Sequence, residues 1–278
     1  MPPVSASPAS LYVVATPIGN TGDFSPRAVE TLRMVAAICA EDTRHSRPLL
    51  QQFGIDTPLL ALHEHNEAAL AEKLVARLLA GESLALISDA GTPLVSDPGF
   101  RLVQAARKAG VRVSPVPGAS ALIAALSVAG LPSDRFVFEG FLPAKAGARR
   151  ERLQALAGER RTMIFYESSH RICEFLHDAG EVFGGERKAA VARELTKLFE
   201  TVLDGSLAEI TAQVEADANQ QKGEFVVLVE GAADSAEGQL AEGLRIYRAL
   251  LAHLPPSSAA KIAAELSGAP RKALYGQQ

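Results

Sequence analysis

The chain has 278 residues, 47% hydrophobic and 22% charged, which is enough material for one large or two medium cores. A formal net charge of −4 and a pI near 5.9 exclude a general cationic field as the means of attracting nucleic acid. No apolar run approaches the ~18 residues that a membrane-spanning helix needs.

The opening stretch, MPPVSASPAS, has neither a basic segment nor an apolar one and reads as a flexible tail over residues 1–10, not a signal peptide. LYVVATPIG (11–19) is the first β-rich run. Ser25 and Pro26 then give an N-cap side chain followed by proline at the first helical position, with helical spacing through Val29, Leu32 and Val35. AAICAED (36–42) and PLLALH (58–63) read as strands, and a helix from about Asn66 to Ala80 ends at Gly81. SLALISD (83–89) is a strand, 98–110 a helix and VRVSPV (111–116) a strand. Pro117-Gly118 opens a helix of small residues, GASALIAALSVAG. Such alternation predicts a parallel α/β sheet over residues 11–133.

LPSDR marks a boundary near 132–136. The second α/β domain, 134–233, begins with FVFEGF (136–141) and a basic helix. That helix and its flanks, Lys145 to Arg161, hold six Lys or Arg against two Glu. TMIFYES (162–168), a helix to about Ala179, AAVAREL (189–195), LFETVLDG (198–205), a helix and EFVVLVEG (224–231) follow. No helix separates AAVAREL from LFETVLDG, so these two strands are predicted to be antiparallel neighbours in a mixed sheet. From 238 to 278 strand signals stop. YRALLAHL, PPSSAAKIAAELSG and APRKALYGQQ read as three short helices with helix-turn-helix proportions. Cys39 and Cys173 form no C-x-x-C and suit packing roles in a reducing, cytoplasmic compartment.

Open α/β sheets bind ligands at the carboxyl ends of their strands, and ISDAGTPLVSDPGF (87–100) sits at such an end. It has no lysine or arginine, and neither G-x-x-x-x-G-K-[ST] nor G-x-G-x-x-G occurs in the chain. Triphosphates and dinucleotides are therefore poor candidates. Asp89 and Asp97, with backbone carbonyls, suit a ligand that carries N–H or O–H donors or positive charge. The same carboxylates could simply cap turns. A second glycine turn, PVPGASA (115–121), and the polar strand ends ATPIGN, AEDTRH and FYES point to the same edge. His63 and His65 lack a third ligand at suitable spacing, so no metal is expected.

LYVVATPIGN, AEDTRHS, LHEHNE, ISDAGTPLVSDPG, PVPGASA, AGLPSDRFVFEGFLP, FYESSHR, ARELTKLFET and KGEFVVLVEG occur in order over about residues 11–231. Together they resemble the small-subunit ribosomal RNA methyltransferase I family, within the tetrapyrrole methylase-like superfamily of S-adenosylmethionine (SAM) enzymes. The resemblance implies two α/β domains with SAM in the cleft between them and a small helical module at the C-terminus. It also implies a homodimer and 2′-O-methylation of a decoding-centre cytidine in small-subunit ribosomal RNA. By position, it assigns to the cofactor Pro17, Asp89, Ala90, Gly91, Thr92, Pro93, Ser120 and Ala121. From the second domain it adds Phe165, Tyr166, Ala192, Leu195, Gly223 and Glu224.

A ribose hydroxyl is a poor nucleophile and calls for a base or a cation near the developing alkoxide. Glu167, Glu194, Asp42 and His45 are candidate bases, with Arg193, Arg44 and Lys197 as electrostatic partners, and the sequence does not select among them. RNA phosphates would meet Arg44, Lys145, Arg149, Arg150 and Arg152, and Lys261, Arg271 and Lys272 in the tail. Two other readings remain open: a tetrapyrrole methyltransferase, and an RNA-binding assembly protein with an idle SAM pocket.

Overall fold

The protein is described by a computed structural model over residues 9–233 and 236–275. Of the expected tail, residues 1–8 lie outside the described residues, as do 276–278 at the other end.

Strands separated by helices can pair in parallel because each helix supplies the crossover. The first sheet is built this way from β1 (Ser10–Val14), β2 (Ala37–Ala40), β3 (Leu59–Ala61), β4 (Leu84–Leu86) and β5 (Arg112–Val116). They lie in the order β3-β2-β4-β1-β5, and every pairing is parallel. Helices α1 (Pro26–Met34), α2 (Thr43–Gln52), α3 (Glu67–Leu79), α4 (Phe100–Lys108) and α5 (Ala121–Val128) connect them and lead on to the second sheet. Ser25 caps α1 through the Ala28 N–H, as the Ser-Pro signal predicts. The sequence reading has no helix between 42 and 58, where α2 stands. Pro48 lies inside it and masks the helical pattern, although it removes only one N–H from the ladder.

The second sheet contains β6 (Phe136–Phe141), β7 (Thr162–Ser168), β8 (Lys188–Arg193), β9 (Thr201–Ser206) and β10 (Glu224–Val229), in the order β6-β7-β10-β8-β9. β6 and β7 are parallel and the other neighbours are antiparallel, including β8 with β9, so the sheet is mixed as expected. One face carries α6 (Ala146–Ala155), α7 (Ile172–Phe183) and α8 (Leu207–Ala216) over a core that includes Met163, Phe165, Phe175, Val191 and Phe225. The other face is covered by α5, whose Leu122, Ala125 and Leu126 pack against Ile164, Ala190, Ala192, Val226 and Leu228. A helix that follows the first sheet thus completes the core of the second. The final helices are α9 (Ala236–Leu250), α10 (Pro256–Ser267) and α11 (Arg271–Tyr275). They enclose a small core of their own around Tyr247, Ala260, Ala263 and Leu274. α9 starts earlier than YRALLAHL suggests, because its first turns are polar and alanine-rich.

The basic helix is a correction to the sequence reading. Arg149, expected to meet RNA, is 1% exposed. Its Nε donates to Asp178 Oδ2 at 2.6 Å and its Nη2 to Glu174 Oε2 at 3.0 Å. It therefore clamps α6 to α7 inside the fold and has no free surface for phosphate. Arg150 Nε donates to the other Asp178 oxygen at 2.5 Å. Burial pushes the Asp178 carboxyl up, and the two guanidiniums more than offset it, leaving it below its ordinary range. Removing one partner of such a pair strands the other in the interior. Arg149→Ala is expected to cost about 3–5 kcal/mol of folding stability, read from the urea midpoint.

Candidate functional site

The cleft follows from how β4 ends. After Leu86 the chain runs through Ser88, Asp89, Ala90 and Gly91 along the first sheet's carboxyl edge. There it is fastened to the end of β1 by two backbone bonds, Thr16 N to Gly91 O at 2.8 Å and Gly91 N to Thr16 O at 3.1 Å. Gly91 has φ +79°, and a Cβ there would lie 3.2 Å from Ile18 Cγ2, so a side chain would be both strained and crowded where the two loops meet. Thr92 Oγ1 donates to Ala119 O at 3.0 Å, joining this loop to the PGAS turn before α5. Leu94 and Ser96 also take positive φ, +73° and +66°. Side chains rarely hold that conformation unless surrounding structure imposes it, and such strain gathers at ligand sites.

The opposite wall comes from the second sheet. Tyr166 on β7 accepts a hydrogen bond from Leu122 N at 3.2 Å, tying this wall to the start of α5. Between the two walls lies a cavity of about 480 Å³. Asp89, Ala90, Gly91, Thr92, Ser120 and Ala121 line it from the first sheet. Tyr166, Ala192, Leu195, Gly223 and Glu224 line it from the second. These eleven are sequence-predicted positions brought together from five separate segments of chain. Three others are placed elsewhere. Pro17 and Pro93 are buried beside the cleft and leave the wall to Ile18 and Thr92. Phe165 is fully buried against Phe175 on the far side of the sheet, because neighbours on a strand point to opposite faces. The sequence reading missed Ile18, Val95, Ser96, Phe141, Ser168, Ser169, Phe225 and Val226 as lining residues. Strand alternation would have found Val226 opposite Tyr166, but nothing local marks the others.

A larger open depression of about 1200 Å³ lies at the other end of the second sheet, among Arg135, Arg161, Phe183, Arg187 and Glu230. It contains no predicted cofactor position. Its Arg161 is held by Glu159, and Arg187 Nη1 donates to Glu230 O. The smaller cleft, where the conformational strain and the carboxylates converge, is the candidate site.

The electrostatics of the cleft are acidic: Asp89, Asp97, Glu167 and Glu224 line it, with no lysine or arginine. Burial, joined by nearby Glu41 and Asp89, pushes Asp97 up to about 6, against a hydrogen bond with Ser88. Burial also raises Glu41 and Glu167. Glu167 Oε1 accepts from Ser168 N at 2.8 Å. Its Oε2 lies 3.1 Å from Arg171 Nη2 without a hydrogen bond.

Of the candidate bases Glu167, Glu194, Asp42 and His45 and their partners Arg193, Arg44 and Lys197, Glu167 alone lines the cavity. Glu194 Oε1 accepts from Lys197 Nζ at 2.9 Å and Glu224 N at 3.0 Å. Burial would raise Glu194, but these partners hold it low. Arg193 is 8% exposed and donates to the Lys222 and Phe199 carbonyls, bracing the loops they belong to. Asp42 caps α2, and side-chain and backbone bonds from Arg44 lower its pKa to about 2. Arg44 is itself exposed and paired with Asp42. Among the described residues no group of His, Cys, Asp and Glu is arranged to hold a metal, and no helix is long and apolar enough to cross a membrane.

This geometry has relatives. The pattern of the Tetrapyrrole (Corrin/Porphyrin) Methylases fits residues 10–211, and that of the RsmI C-terminal HTH domain fits residues 237–277. A protein from Xylella fastidiosa strain Temecula1, "Ribosomal RNA small subunit methyltransferase I", is 68% identical over 98% of this chain and 99% of its own. A Pseudomonas aeruginosa protein of the same name is 59% identical over 98% of this chain and 97% of its own. Among solved structures, a Thermus thermophilus uroporphyrin-III C-methyltransferase complexed with S-adenosylhomocysteine superposes with a TM-score of 0.55. At 17% identity over 79% of this chain and 97% of that one, it shares the fold. The chain belongs to the ribosomal RNA small subunit methyltransferase I family, built on the tetrapyrrole methylase fold with a C-terminal helix-turn-helix module.

Proposed function

We propose that this chain is a SAM-dependent methyltransferase that methylates the ribose 2′-oxygen of a decoding-centre cytidine in small-subunit ribosomal RNA. The observation that carries the reading is the 68% identity over nearly the full length of both chains. The cleft fits the cofactor: it is an acidic cavity free of lysine and arginine, with a glycine turn that brings backbone close. SAM supplies a methyl group on a positively charged sulfur, a good electrophile without metal assistance. Asp89 and Asp97 would face that positive charge and the donors of the cofactor's amino and ribose groups. The 90–93 turn and Ser120-Ala121 would hold the methionine end. Tyr166, Ala192, Leu195 and the 223–224 turn would enclose the adenosine.

The chain's task is then to hold the ribose O2′ in line with the methyl carbon, where positioning contributes several kcal/mol. As the new C–O bond forms and the C–S bond breaks, the hydroxyl proton passes to a base. Glu167 and Asp97 are the cleft carboxylates whose proton affinity burial raises toward neutrality, which is where a general base works best. Glu194, Asp42 and Arg193 are better placed as supports of the surrounding loops. Arg44, Lys145, Arg150, Arg152, Lys261, Arg271 and Lys272 lie outside the core and would meet phosphates. Arg150 and Arg152 would do so with one side already paired to Asp178 and Glu139. The same reading divides the chain into domains at 11–133 and 134–233 with a tail module at 238–278. It treats the enzyme as a cytoplasmic homodimer acting on an assembled or nearly assembled subunit.

Mapping ribose methylation in small-subunit RNA from cells with and without the gene tests the assignment. Loss of one 2′-O-methyl mark is expected, and a deletion that leaves every mark in place refutes it. Transfer to uroporphyrinogen in its stead would give the cleft to a tetrapyrrole. Cofactor affinity should also depend on pH. A cation favours the ionised carboxylate, so proton and SAM compete at Asp97. Affinity by calorimetry should fall as the pH drops from about 7 to about 5, through the value near 6, and Asp97→Asn should flatten that slope. Truncation after Gly231 removes the helical module and its separate core. It is expected to weaken RNA methylation at least about tenfold while SAM affinity stays within about twofold. Equal loss of both would make the module structural.

A further inference from the structure

One feature of the cleft is unexplained by cofactor binding. Three aromatic side chains line it: Phe141, Tyr166 and Phe225. Phe225 is 2% exposed and belongs to the core beneath α7. Tyr166 is half-buried, with its hydroxyl engaged by Leu122 N. Phe141 is 56% exposed. It ends β6, an edge strand of the second sheet, and so stands at the rim of the cavity, whose floor is β7, β10 and β8.

The backbone goes out of its way to put it there. β6 pairs Phe138 with Ile164, then skips Glu139 and pairs Gly140 with Phe165 and Phe141 with Tyr166. In a regular strand, residues 138 and 141 would point to opposite faces. The extra residue returns Phe141 to the face of Phe138 and Tyr166, the face that looks into the cleft. Gly140 at the bulge takes φ +65°, and a Cβ on it would lie 3.2 Å from Ser96 Oγ on the cofactor loop. Glu139, the inserted residue, is anchored from behind by Arg152 at 2.6 Å. The three rings form an edge-to-face chain, Phe138 to Tyr166 at 4.8 Å and Tyr166 to Phe141 at 5.6 Å, which fixes the plane of the last ring. The bulge leaves a large apolar ring more than half exposed at the mouth of the cleft. It creates a rigid stacking surface, the means by which proteins grip an unstacked base.

We propose that Phe141 is a substrate-positioning residue that stacks on the base of the acceptor nucleotide, setting its ribose over the cleft. This rests on the RNA reading above. The ring's chemistry selects a flat aromatic base and makes no demand on its hydrogen-bonding edge.

The test uses the full-length enzyme with small-subunit ribosomal particles and labelled SAM. Phe141→Leu keeps apolar volume and removes the π face, and Phe141→Trp keeps the face. For Phe141→Leu the KM for the particle is expected to rise about tenfold to a hundredfold, with SAM affinity within about twofold of the parent. Phe141→Trp is expected to restore the parent KM. An unchanged KM in Phe141→Leu overturns the proposal, and a parallel loss of SAM affinity overturns it in favour of stacking on the cofactor's adenine. Unaltered SAM binding also certifies that the variant is folded. If the parent enzyme transfers no methyl to ribose, the RNA reading fails and takes this inference with it. If the parent does so and Phe141→Leu matches it, the inference alone fails.

Discussion

The packing of α5 on the second sheet is the contact on which the site depends. Leu122, Ala125 and Leu126 come from a helix that leaves the first sheet, yet the surface they bury belongs to β7, β8 and β10. Burial of apolar area at about 25 cal/mol per Å² makes such a seam hard to open, so the two sheets keep a fixed relation. The hydrogen bond from Leu122 N to Tyr166 then sets the register at the mouth, where the first turn of α5 would otherwise leave a free N–H. The cleft is what remains between two sheet edges once this seam has closed.

Along that cleft the protein accepts local conformational cost. Gly91 permits the loop after β4 to dock against Thr16, while Leu94 and Ser96 hold positive φ without being glycine. At the far end of the same loop, Glu67 on α3 reaches across to accept from Leu102 N, capping α4 from a distance. The loop is therefore pinned at both ends and in the middle. A pinned loop presents carbonyls and carboxylates in fixed directions, and a ligand does not have to organise them.

The distribution of charge separates two tasks. Carboxylates gather along the cleft, whose wall holds no lysine or arginine, and burial makes Asp97 and Glu167 hold their protons more tightly than usual, even with Arg171 beside Glu167. Arginines are used mostly as structural clamps: Arg149 between helices α6 and α7, Arg193 around the loop after β8, Arg152 behind the bulge in β6. A run of basic residues in sequence says nothing about which of them will be drawn inward by an acidic partner on the next helix. That decision belongs to packing, and for Arg149 it reverses the surface role that composition suggests.

Much of the fold was legible in the chain because the signals are local. Apolar runs of strand length, the Ser25-Pro26 helix start and the missing helix between β8 and β9 each follow from neighbours a few residues apart, and the parallel first sheet and mixed second sheet follow from their order. The glycine-bearing loops that line the cleft were legible for the same reason. α2 was hidden by Pro48, a local signal that the tertiary context overrode. Tertiary structure alone decided which side of a strand each residue faces across the cleft, so that Tyr166 lines it and Phe165 does not. It alone buried Arg149, gave Glu167 its buried place, and used one extra residue in β6 to turn Phe141 inward. Those outcomes depend on contacts between segments dozens of residues apart, and no short-range pattern in the chain encodes them.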